Sequence, residues 1–374
     1  MIRLGLDARK LADFGIGTYV RHLVLELARR SAEFDVTLFA RPSGRSLLPG
    51  LPASVRWIDD GSRGYSAREL VQVGLKVRRQ RLDLFHAPHY VVPFALGAPF
   101  VVTVHDVIHL LFPQFLPSRL GLPYARFMLR RALRASRRVI AVSETTRRDV
   151  LSRSPRMPPE KVVVVPNGID EAFRQVTDGA VPAALARLGL RRPYLLFVGN
   201  PKRHKDLPTA LAALARLGAE EGSPPLALAG TGASAEIVAA ARGAGVEDRV
   251  RALGFVPPEL LPALYRGAEL LLSPSLYEGF GFAVGEALAA GCPVVASDIP
   301  AHREVAGDAA LFAPAGEPAA FAAAAARLLA DRDLALGMRE AGRRRVAPLT
   351  WEAAGRRTID VYRAAISSTG GDPR

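Results

Sequence analysis

The stretch ELLLSPSLYEGFGFAVGEALAAGCPVVASD, residues 269–298, contains a strand pattern, a helix pattern and a second strand pattern in immediate succession. Its first apolar run ends in a loop with two glycines, and the helical pattern that follows is closed by Gly291. Glycine just after the last helical residue is typical of a helix C-cap. The stretch therefore predicts one strand–helix–strand unit of a parallel sheet.

The same alternation continues on both sides, which is typical of parallel α/β domains. In the first half the predicted strands are IRLGLDA, FDVTLFA, LDLFHAP, FVVTVHD, RVIAVS and VVVVP, with helices near 17–30, 67–79, 119–135 and 144–151. In the second half they are YLLFVGN, PLALAG, VRALGF, ELLLSPS and PVVASD, with helices near 207–217, 233–244, 258–267 and 282–290. Two alanine-rich helical stretches and a final amphipathic one, from Thr350, complete the pattern.

A chain of 374 residues exceeds the size at which one hydrophobic core usually stops growing. We predict two doubly wound domains, 1–166 and 167–349, with turn residues of a hinge in PNGID, 166–170. Open α/β sheets bind ligands at the carboxyl ends of their strands, so we expect a ligand cleft shared by the two domains.

The net charge of +14 lies entirely in the first half. Residues 1–166 contain 27 Lys and Arg against 13 Asp and Glu, whereas residues 167–374 contain 23 of each. The single cysteine, Cys292, excludes an internal disulfide and is predicted to be a small buried residue. With no secretory signal and no apolar run near the roughly 20 residues that span a bilayer, we expect a cytoplasmic protein.

Much of the excess charge lies in RFMLRRALRASRR, residues 126–138, where six arginines recur at helical spacing between apolar residues. One interpretation is a solvated helix packed on the domain core. The other is a surface that attracts anionic lipid headgroups or a phosphorylated, lipid-linked acceptor at the inner face of the membrane. Nucleic acid is disfavoured as a partner, because the arginines are not interleaved with stacking aromatic residues.

Two glutamates, Glu278 and Glu286, flank the glycine loop of the opening stretch. Gly279 and Gly281 let the backbone pass close to a ligand at the helix amino terminus, although the glycine spacing is not the dinucleotide fingerprint. Carboxylates accept hydrogen bonds from paired hydroxyls of a ribose or a sugar. The alternatives are that Glu278 only assists the helix N-cap and that Glu286 is a solvated helix residue.

Three further loops follow predicted strands. VGNPKRHKD places Arg203 and Lys205 in a strand-to-helix turn, a geometry that binds phosphates, and DFGIGTYV places Gly17 at a helix start. VVTVHDVIHL places His105 beyond a buried strand. No third metal ligand is nearby and no G-x-S-x-G elbow exists, so His105 either forms a hydrogen bond in the cleft or satisfies backbone groups.

Together these loops resemble the family 4 glycosyltransferases, which move a sugar from a nucleotide donor with retention of configuration. The segments that carry the resemblance, in chain order, are GIGTYV, FHAPHY, VVTVHD, VIAVSETTRRDV, VVVVPNGID, LLFVGNPKRHKD, LAGTGA, LGFV, YEGFGFAVGEALAAGCPVVASD and WEAAGRRTIDVY. The resemblance implies the GT-B fold, in which two Rossmann-like domains face each other across a cleft. It also implies that the last helix, 350–367, crosses back onto an acceptor-binding first domain.

The resemblance implies specific roles for single residues. Glu286 would hold the donor ribose and Glu278 the transferred sugar, beside Gly279 and the N–H groups of Phe280 and Gly281. Lys205, with Arg203, would bind the diphosphate, Gly17 would approach it, Val256 would border the base and His105 would lie near the reacting centre. His204 stands where many relatives have arginine, so the second phosphate cation is open.

Fixed positive charge at the diphosphate suits this reaction, so we expect no metal and no cofactor besides the nucleotide sugar. GDP-mannose is the first candidate donor, and a glycan or lipid-linked oligosaccharide is the expected acceptor. The alternatives are a nucleotide-sugar epimerase of the same fold and a non-catalytic sugar-nucleotide binder.

Overall fold

The computed structural model describes residues 1–61, 67–116, 120–200, 202–218, 223–230, 232 and 234–367. They form two compact units, Met1–Gly168 with Trp351–Arg374, and Ile169–Thr350. Each unit is a parallel sheet with helices packed against it.

The sheet of the first unit has the order β3-β2-β1-β4-β5-β6-β7, and all its strand pairs are parallel. Its strands are β1 Ile2–Asp7, β2 Phe34–Ala40, β3 Val55–Asp59, β4 Leu84–Ala87, β5 Phe100–Val104, β6 Arg138–Ala141 and β7 Val162–Val164. The helices within this part of the chain are α1 Ile16–Ala28, α2 Ala67–Arg79, α3 Ile108–Leu111, α4 Gly121–Ala135 and α5 Glu144–Arg153. The central strands are buried because helices cover both faces of a parallel sheet, as in β4 and β5, whose residues are all buried.

The sheet of the second unit has the order β10-β9-β8-β11-β12-β13, again parallel throughout. Its strands are β8 Leu195–Val198, β9 Leu226–Ala229, β10 Val250–Gly254, β11 Leu270–Ser273, β12 Val294–Ser297 and β13 Leu311–Ala313. Its helices are α6 Glu171–Gln175, α7 Val181–Arg187, α8 Leu207–Arg216, α9 Ala235–Gly243, α10 Leu261–Gly267, α11 Phe282–Ala290, α12 Pro300–Ala306, α13 Pro318–Ala330 and α14 Arg332–Val346.

The last helix, α15 Trp351–Ser367, belongs to the first unit. The Trp351 side chain stacks on His22 of α1 with 4.5 Å between ring centroids. Tyr362 is fully buried, and its hydroxyl lies 2.7 Å from Nδ1 of His86 in β4. The end of the chain thus packs into the same core as its beginning.

The predicted parallel α/β architecture is confirmed, with two strands and four helices missing from the prediction. The strands are β3 and β13, and both lie at the edge of a sheet. The helices are the short α3, α6, α7 and α12, of four to seven residues each, and α12 makes three helices rather than two between residues 298 and 349. The predicted first residues of α4 and α9, Arg119 and Ala233, lie outside the described residues. Cys292 is buried, as predicted, and burial raises its pKa to about 12.

Candidate active site

The strand order of the second unit reverses between β8 and β11. Strands β9 and β10 continue from β8 on one side, whereas β12 and β13 continue from β11 on the other. Loops that leave two such neighbouring strands diverge, and the crevice between them is where open α/β sheets bind ligands. A short turn of 3₁₀ helix, Arg203–Lys205, follows β8, and the loop that contains Glu278 follows β11.

An ion pair joins these two loops. Nζ of Lys205 lies 2.6 Å from Oε1 of Glu278, and the hydroxyl of Ser275 donates to the same oxygen at 2.8 Å. The N–H of Leu276 also donates to the carbonyl of His204 at 2.8 Å. Backbone and side-chain contacts therefore fix the two loops to each other at the point where the sheet reverses.

Glu278 is a carboxylate at neutral pH. Burial acts to raise its pKa, but the attraction of Lys205, together with His302 and the hydrogen bonds from Lys205 and Ser275, outweighs burial and lowers the pKa to about 2. The hydrogen bonds from Lys205 and Ser275 both end on Oε1. The site thus holds a fixed negative charge and a fixed positive charge within one ion pair.

Glu286 lies one turn inside α11 and has a different environment. Oη of Tyr265, a fully buried residue of α10, donates to its Oε2 at 2.8 Å. Burial raises the pKa of Glu286 to about 7, while this hydrogen bond and the charge of Lys205 oppose the shift. Two carboxyl groups on one loop and helix therefore differ in pKa because their partners differ.

Helix α11 begins at a glycine that no other residue could replace without strain. Gly281, the N-cap, has φ +96° and ψ 53°, in the left-handed region that favours glycine. A Cβ at this position would lie 3.2 Å from Cδ2 of His302. Phe280 is buried and packs edge-to-face on Phe282, with 5.2 Å between ring centroids. These contacts fix the amino terminus of α11, which is the positive end of the helix dipole and follows Glu278 closely in the chain.

Glycines lie at the carboxyl ends of three neighbouring strands of the second unit: Gly199 follows β8, Gly230 follows β9 and Gly254 is the last residue of β10. The N–H of Gly230 donates to the carbonyl of Gly254 at 2.8 Å, and a Cβ at Gly230 would lie 2.8 Å from the carbonyl oxygen of Gly199. Beyond β10, Phe255 is 72% exposed, whereas Val256 is only 4% exposed. Val256 can therefore offer a ligand its backbone rather than its side chain.

In the first unit, His105 follows β5. Its Nε2 lies 3.1 Å from the carbonyl oxygen of Pro88, and because a carbonyl only accepts, Nε2 carries the proton and Nδ1 the lone pair. Burial lowers the pKa of His105 to about 4, and its ring meets Tyr19 edge-to-face at 4.9 Å. His105 is thus a neutral, oriented imidazole.

Two family profiles cover most of the chain. Residues 15–173 match the family described as Glycosyltransferase Family 4, and residues 186–345 match the one described as Glycosyl transferases group 1. Alpha-maltose-1-phosphate synthase of Mycolicibacterium smegmatis is 30% identical over 376 residues, which cover 93% of this chain and 95% of that relative. The chain belongs to the family 4 glycosyltransferases of group 1 type.

The names of other relatives of this glycosyltransferase state different activities. O-antigen chain mannosyltransferase B of Escherichia coli is 28% identical, over 75% of this chain and 74% of the relative. The solved structure of Anabaena HepE with UDP-glucose matches with a TM-score of 0.79 at 19% identity, and covers 97% of this chain and 100% of HepE. The predicted GT-B fold, with two Rossmann-like domains, is confirmed, and the protein is an enzyme.

Gly17 of the glycosyltransferase is buried in the first turn of α1. Its N–H already donates to the carbonyls of Asp13 and Phe14, at 3.0 and 2.8 Å. A Cβ there would lie 2.5 Å from the carbonyl oxygen of Leu11. Packing alone therefore requires glycine at this position, and its approach to a diphosphate stays a prediction.

The basic segment 126–138 is not one helix with six equivalent arginines. Helix α4 ends at Ala135, because Ser136 adopts an extended conformation, and Arg138 is already the first residue of β6. Arg131 donates to the carbonyls of Val92 and Pro93 at 2.6 and 2.7 Å. Its role is structural, and the exposed basic residues are Arg126, Arg130, Arg134 and Arg137.

Three residues of the site were not predicted from the sequence: Tyr265, Ser275 and His302. Ser275 and His302 lie just beyond the carboxyl ends of β11 and β12, where polar residues after a buried strand could have indicated them. Tyr265 lies inside an apolar helix, and only the packing of α10 on α11 brings its hydroxyl to Glu286.

The described residues contain no group of three or more His, Cys, Asp or Glu side chains placed to hold a metal ion. Among the helices so described, none is long and apolar enough to cross a membrane.

Proposed function

We propose that this glycosyltransferase transfers a hexose from a nucleotide-diphosphate sugar, with retention of configuration and without a metal. The observation that carries the proposal is the pairing of Lys205 and Glu278 at 2.6 Å, at the strand reversal of the second unit. The named activity of the O-antigen relative supports mannose, and hence GDP-mannose, as the first candidate donor. The UDP-glucose bound to HepE supports a nucleotide-diphosphate sugar as the donor class.

The chemistry needs positive charge where the diphosphate leaves. As the glycosyl–phosphate bond breaks, the sugar becomes cationic and the diphosphate gains negative charge, so a fixed ammonium stabilises the transition state more than the bound substrate. Lys205 supplies that charge, Arg203 in the same turn adds to it, and the amino terminus of α11 contributes its dipole. The acceptor hydroxyl attacks the anomeric carbon on the face that the diphosphate leaves, and a departing phosphate oxygen takes the hydroxyl proton.

The hydroxyl groups of the donor are bound by the two glutamates. Because Lys205 and Ser275 bond Oε1 of Glu278, the other oxygen, Oε2, accepts from a hydroxyl of the transferred sugar. Glu286 binds the ribose hydroxyls. Backbone groups of Gly279, Phe280 and Gly281 contact the sugar or phosphate, and the backbone of Val256 borders the base.

His105 and Gly17 of the first unit keep the roles that the family resemblance implies. The neutral imidazole of His105 presents Nδ1 as an acceptor beside the sugar, since Nε2 is held by Pro88. Gly17 allows close approach of the diphosphate.

The first experiment is a thermal-shift screen of GDP-mannose, UDP-glucose and other nucleotide sugars. A donor at 100 times its dissociation constant adds about 2.7 kcal/mol to the free energy of unfolding of the domain that binds it. The stabilising donor is then incubated with and without glycan acceptors, and the anomeric configuration of the product is read by NMR. If no nucleotide sugar stabilises the protein, the donor assignment is wrong. Isomerised donor without acceptor would favour an epimerase.

We also propose that the acceptor is a glycan or a lipid-linked oligosaccharide, bound by the first unit at an anionic membrane surface. Helix α4 exposes arginines and large apolar side chains together: Arg126 and Arg130 lie beside Tyr124, 37% exposed, and Phe127, 57% exposed, and Leu120 just before the helix is 80% exposed. A helix that combines these groups suits the interface of an anionic bilayer.

Flotation with vesicles at low salt tests this surface. We expect more protein on vesicles with anionic lipid than on neutral ones, and less in a variant with Arg126→Gln and Arg130→Gln. The matched control changes two exposed arginines of the second unit, Arg191→Gln and Arg344→Gln, by the same charge. Equal flotation on neutral and anionic vesicles would remove the membrane from the proposal.

A further inference from the structure

His302 lies in the second unit on α12, just beyond β12, and its side chain is fully buried. Its Nδ1 lies 3.0 Å from the carbonyl oxygen of Ser297. A carbonyl oxygen only accepts, so Nδ1 must carry the hydrogen and donate it. In the neutral ring this leaves the lone pair on Nε2, which is therefore a hydrogen-bond acceptor.

Nε2 is the atom that needs an explanation. It is buried, and no described residue forms a hydrogen bond with it. Buried polar atoms in native proteins are almost always paired, so an exception at the edge of a binding crevice indicates a partner that is not part of the protein. Nδ1 needs no partner from outside the protein, because it already donates to the carbonyl oxygen of Ser297.

The ring of His302 lies against the start of α11. A Cβ built on Gly281 would be 3.2 Å from Cδ2 and 3.8 Å from Nε2. Only the absence of a side chain at Gly281 lets the imidazole reach this backbone. His302 also acts electrostatically on Glu278, and Glu278 and Lys205 act on His302 in return. Nε2 is therefore close to the ion pair and to the amino terminus of α11.

We propose that Nε2 of His302 accepts a hydrogen bond from a hydroxyl group of the transferred hexose, which makes His302 a donor-sugar binding residue. The inference rests on the proposed function, and it adds a third acceptor to the two glutamates. A sugar hydroxyl matches a lone pair, whereas a phosphate oxygen is itself an acceptor and would be repelled by it. Phosphate binding would need the protonated ring.

The charge state of the ring agrees with an acceptor. Burial, the largest influence, lowers the pKa of His302, and Lys205 acts in the same direction. Glu278 and the hydrogen bond to Ser297 act to raise the pKa without reversing the shift. The imidazole is therefore neutral at physiological pH.

Two substitutions test the roles of the two ring nitrogens of His302 separately. His302→Asn keeps a donor near the position of Nδ1, for the Ser297 carbonyl, but has no atom at the position of Nε2. His302→Gln reaches the position of Nε2 with an amide that can turn its oxygen toward a hydroxyl. Dissociation constants are measured by calorimetry for GDP, GDP-mannose, UDP and UDP-glucose, with the wild type and both variants. Thermal denaturation checks that the variants fold.

We expect His302→Asn to weaken binding of the nucleotide sugar on the order of tenfold and to leave binding of the matching nucleoside diphosphate within twofold. We expect His302→Gln to recover part of the loss. Equal weakening of both ligands, or of neither, would overturn the assignment, because a structural role does not distinguish a nucleotide from its sugar. If the wild type binds none of the four ligands, the proposed donor fails first, and the role of His302 fails with it.

Discussion

At the scale of single residues, the site is organised by one partly buried charge pair and the groups that surround it. Lys205 and Glu278 come from positions 73 residues apart in the chain, yet their ion pair holds the two side chains together, and the charge of Lys205 lowers the pKa of Glu278. Burial raises the pKa of Glu286, and the charge of the same lysine opposes that rise. Removing one member therefore changes the chemistry of the others.

Lys205→Ala tests the charge at the diphosphate. Transfer should slow on the order of 10²-fold or more, because the leaving group loses the cation that stabilises it in the transition state. Lys202→Ala is the matched control, since Lys202 is an exposed lysine of the same loop and has no proposed role. Initial rates at saturating donor and acceptor measure the effect, and a Lys205→Ala enzyme within twofold of the wild type would contradict the assignment.

The pKa of Glu286 predicts how kcat/KM for the donor depends on pH. Its pKa of about 7 is raised from the usual value by burial, so the carboxyl group loses its proton as the pH rises through neutrality. Ionised Glu286 accepts ribose hydroxyls better, and kcat/KM for the donor should therefore rise with pH around 7. Burial lowers the pKa of His105 to about 4 and that of His86 to about 3, so neither titrates in this range.

Two variants identify Glu286 as the source of that rise. Tyr265→Phe removes a hydrogen bond that favours the ionised carboxylate, so the midpoint of the kcat/KM profile should move to higher pH. Glu286→Gln should flatten the profile around 7. A midpoint that stays in place in both variants would assign the titration to another group.

At the scale of elements, helix α11 connects the chemistry to the fold. Gly281 begins it and Gly291 ends it, both with positive φ, so the helix is fixed at each end by a residue that needs no Cβ. Its first turn lies at the ligand crevice and its interior positions the partly buried carboxyl of Glu286. Both ends of the helix can be predicted from the sequence, because a glycine that flanks a helical pattern is a local signal.

Gly281→Ala tests this connection. The left-handed conformation at φ +96° costs an alanine about 1–2 kcal/mol, and the added methyl would also press on His302 at 3.2 Å. We expect lower thermal stability together with weaker binding of the nucleotide sugar. Gly316→Ala is the control, because Gly316 has φ +76° but nothing within 4 Å of its added Cβ. It should lose stability without losing donor affinity, and equal affinity losses in both variants would refute a local role.

At the scale of the whole molecule, the sequence predicts the two sheets better than their edges. Central strands such as β5 are continuous apolar runs because helices cover both faces. The edge strands β3 and β13 are weaker signals, since VRWID mixes charged and apolar residues and LFA has only three. Glu278 and Lys205 were predictable as loop residues after strands, whereas Tyr265 reaches the site only through the packing of α10 on α11, which no local pattern records.

The last helix contacts residues that are distant in the chain but adjacent in the fold. Tyr362 of α15 is bonded to His86 of β4, 276 residues away, and His86 in turn is bonded to Thr103 of β5 at 2.8 Å. Tyr362→Phe would leave Nδ1 of a fully buried histidine without its partner, at a cost of about 1–3 kcal/mol. The cost must appear in the first unit, because both partners belong to its core.

Hydrogen exchange read by mass spectrometry locates that cost. In the Tyr362→Phe protein we expect amides of β1, β4 and β5 to exchange on the order of tenfold faster or more, while β8, β11 and β12 keep their rates, since they belong to a separate core. Arg363→Gln, at the adjacent position, removes only exposed ion pairs with Glu33 and Asp360 and should change neither set. Faster exchange in both units with Tyr362→Phe would mean that the two cores unfold as one, and that α15 stabilises more than the unit to which its contacts assign it.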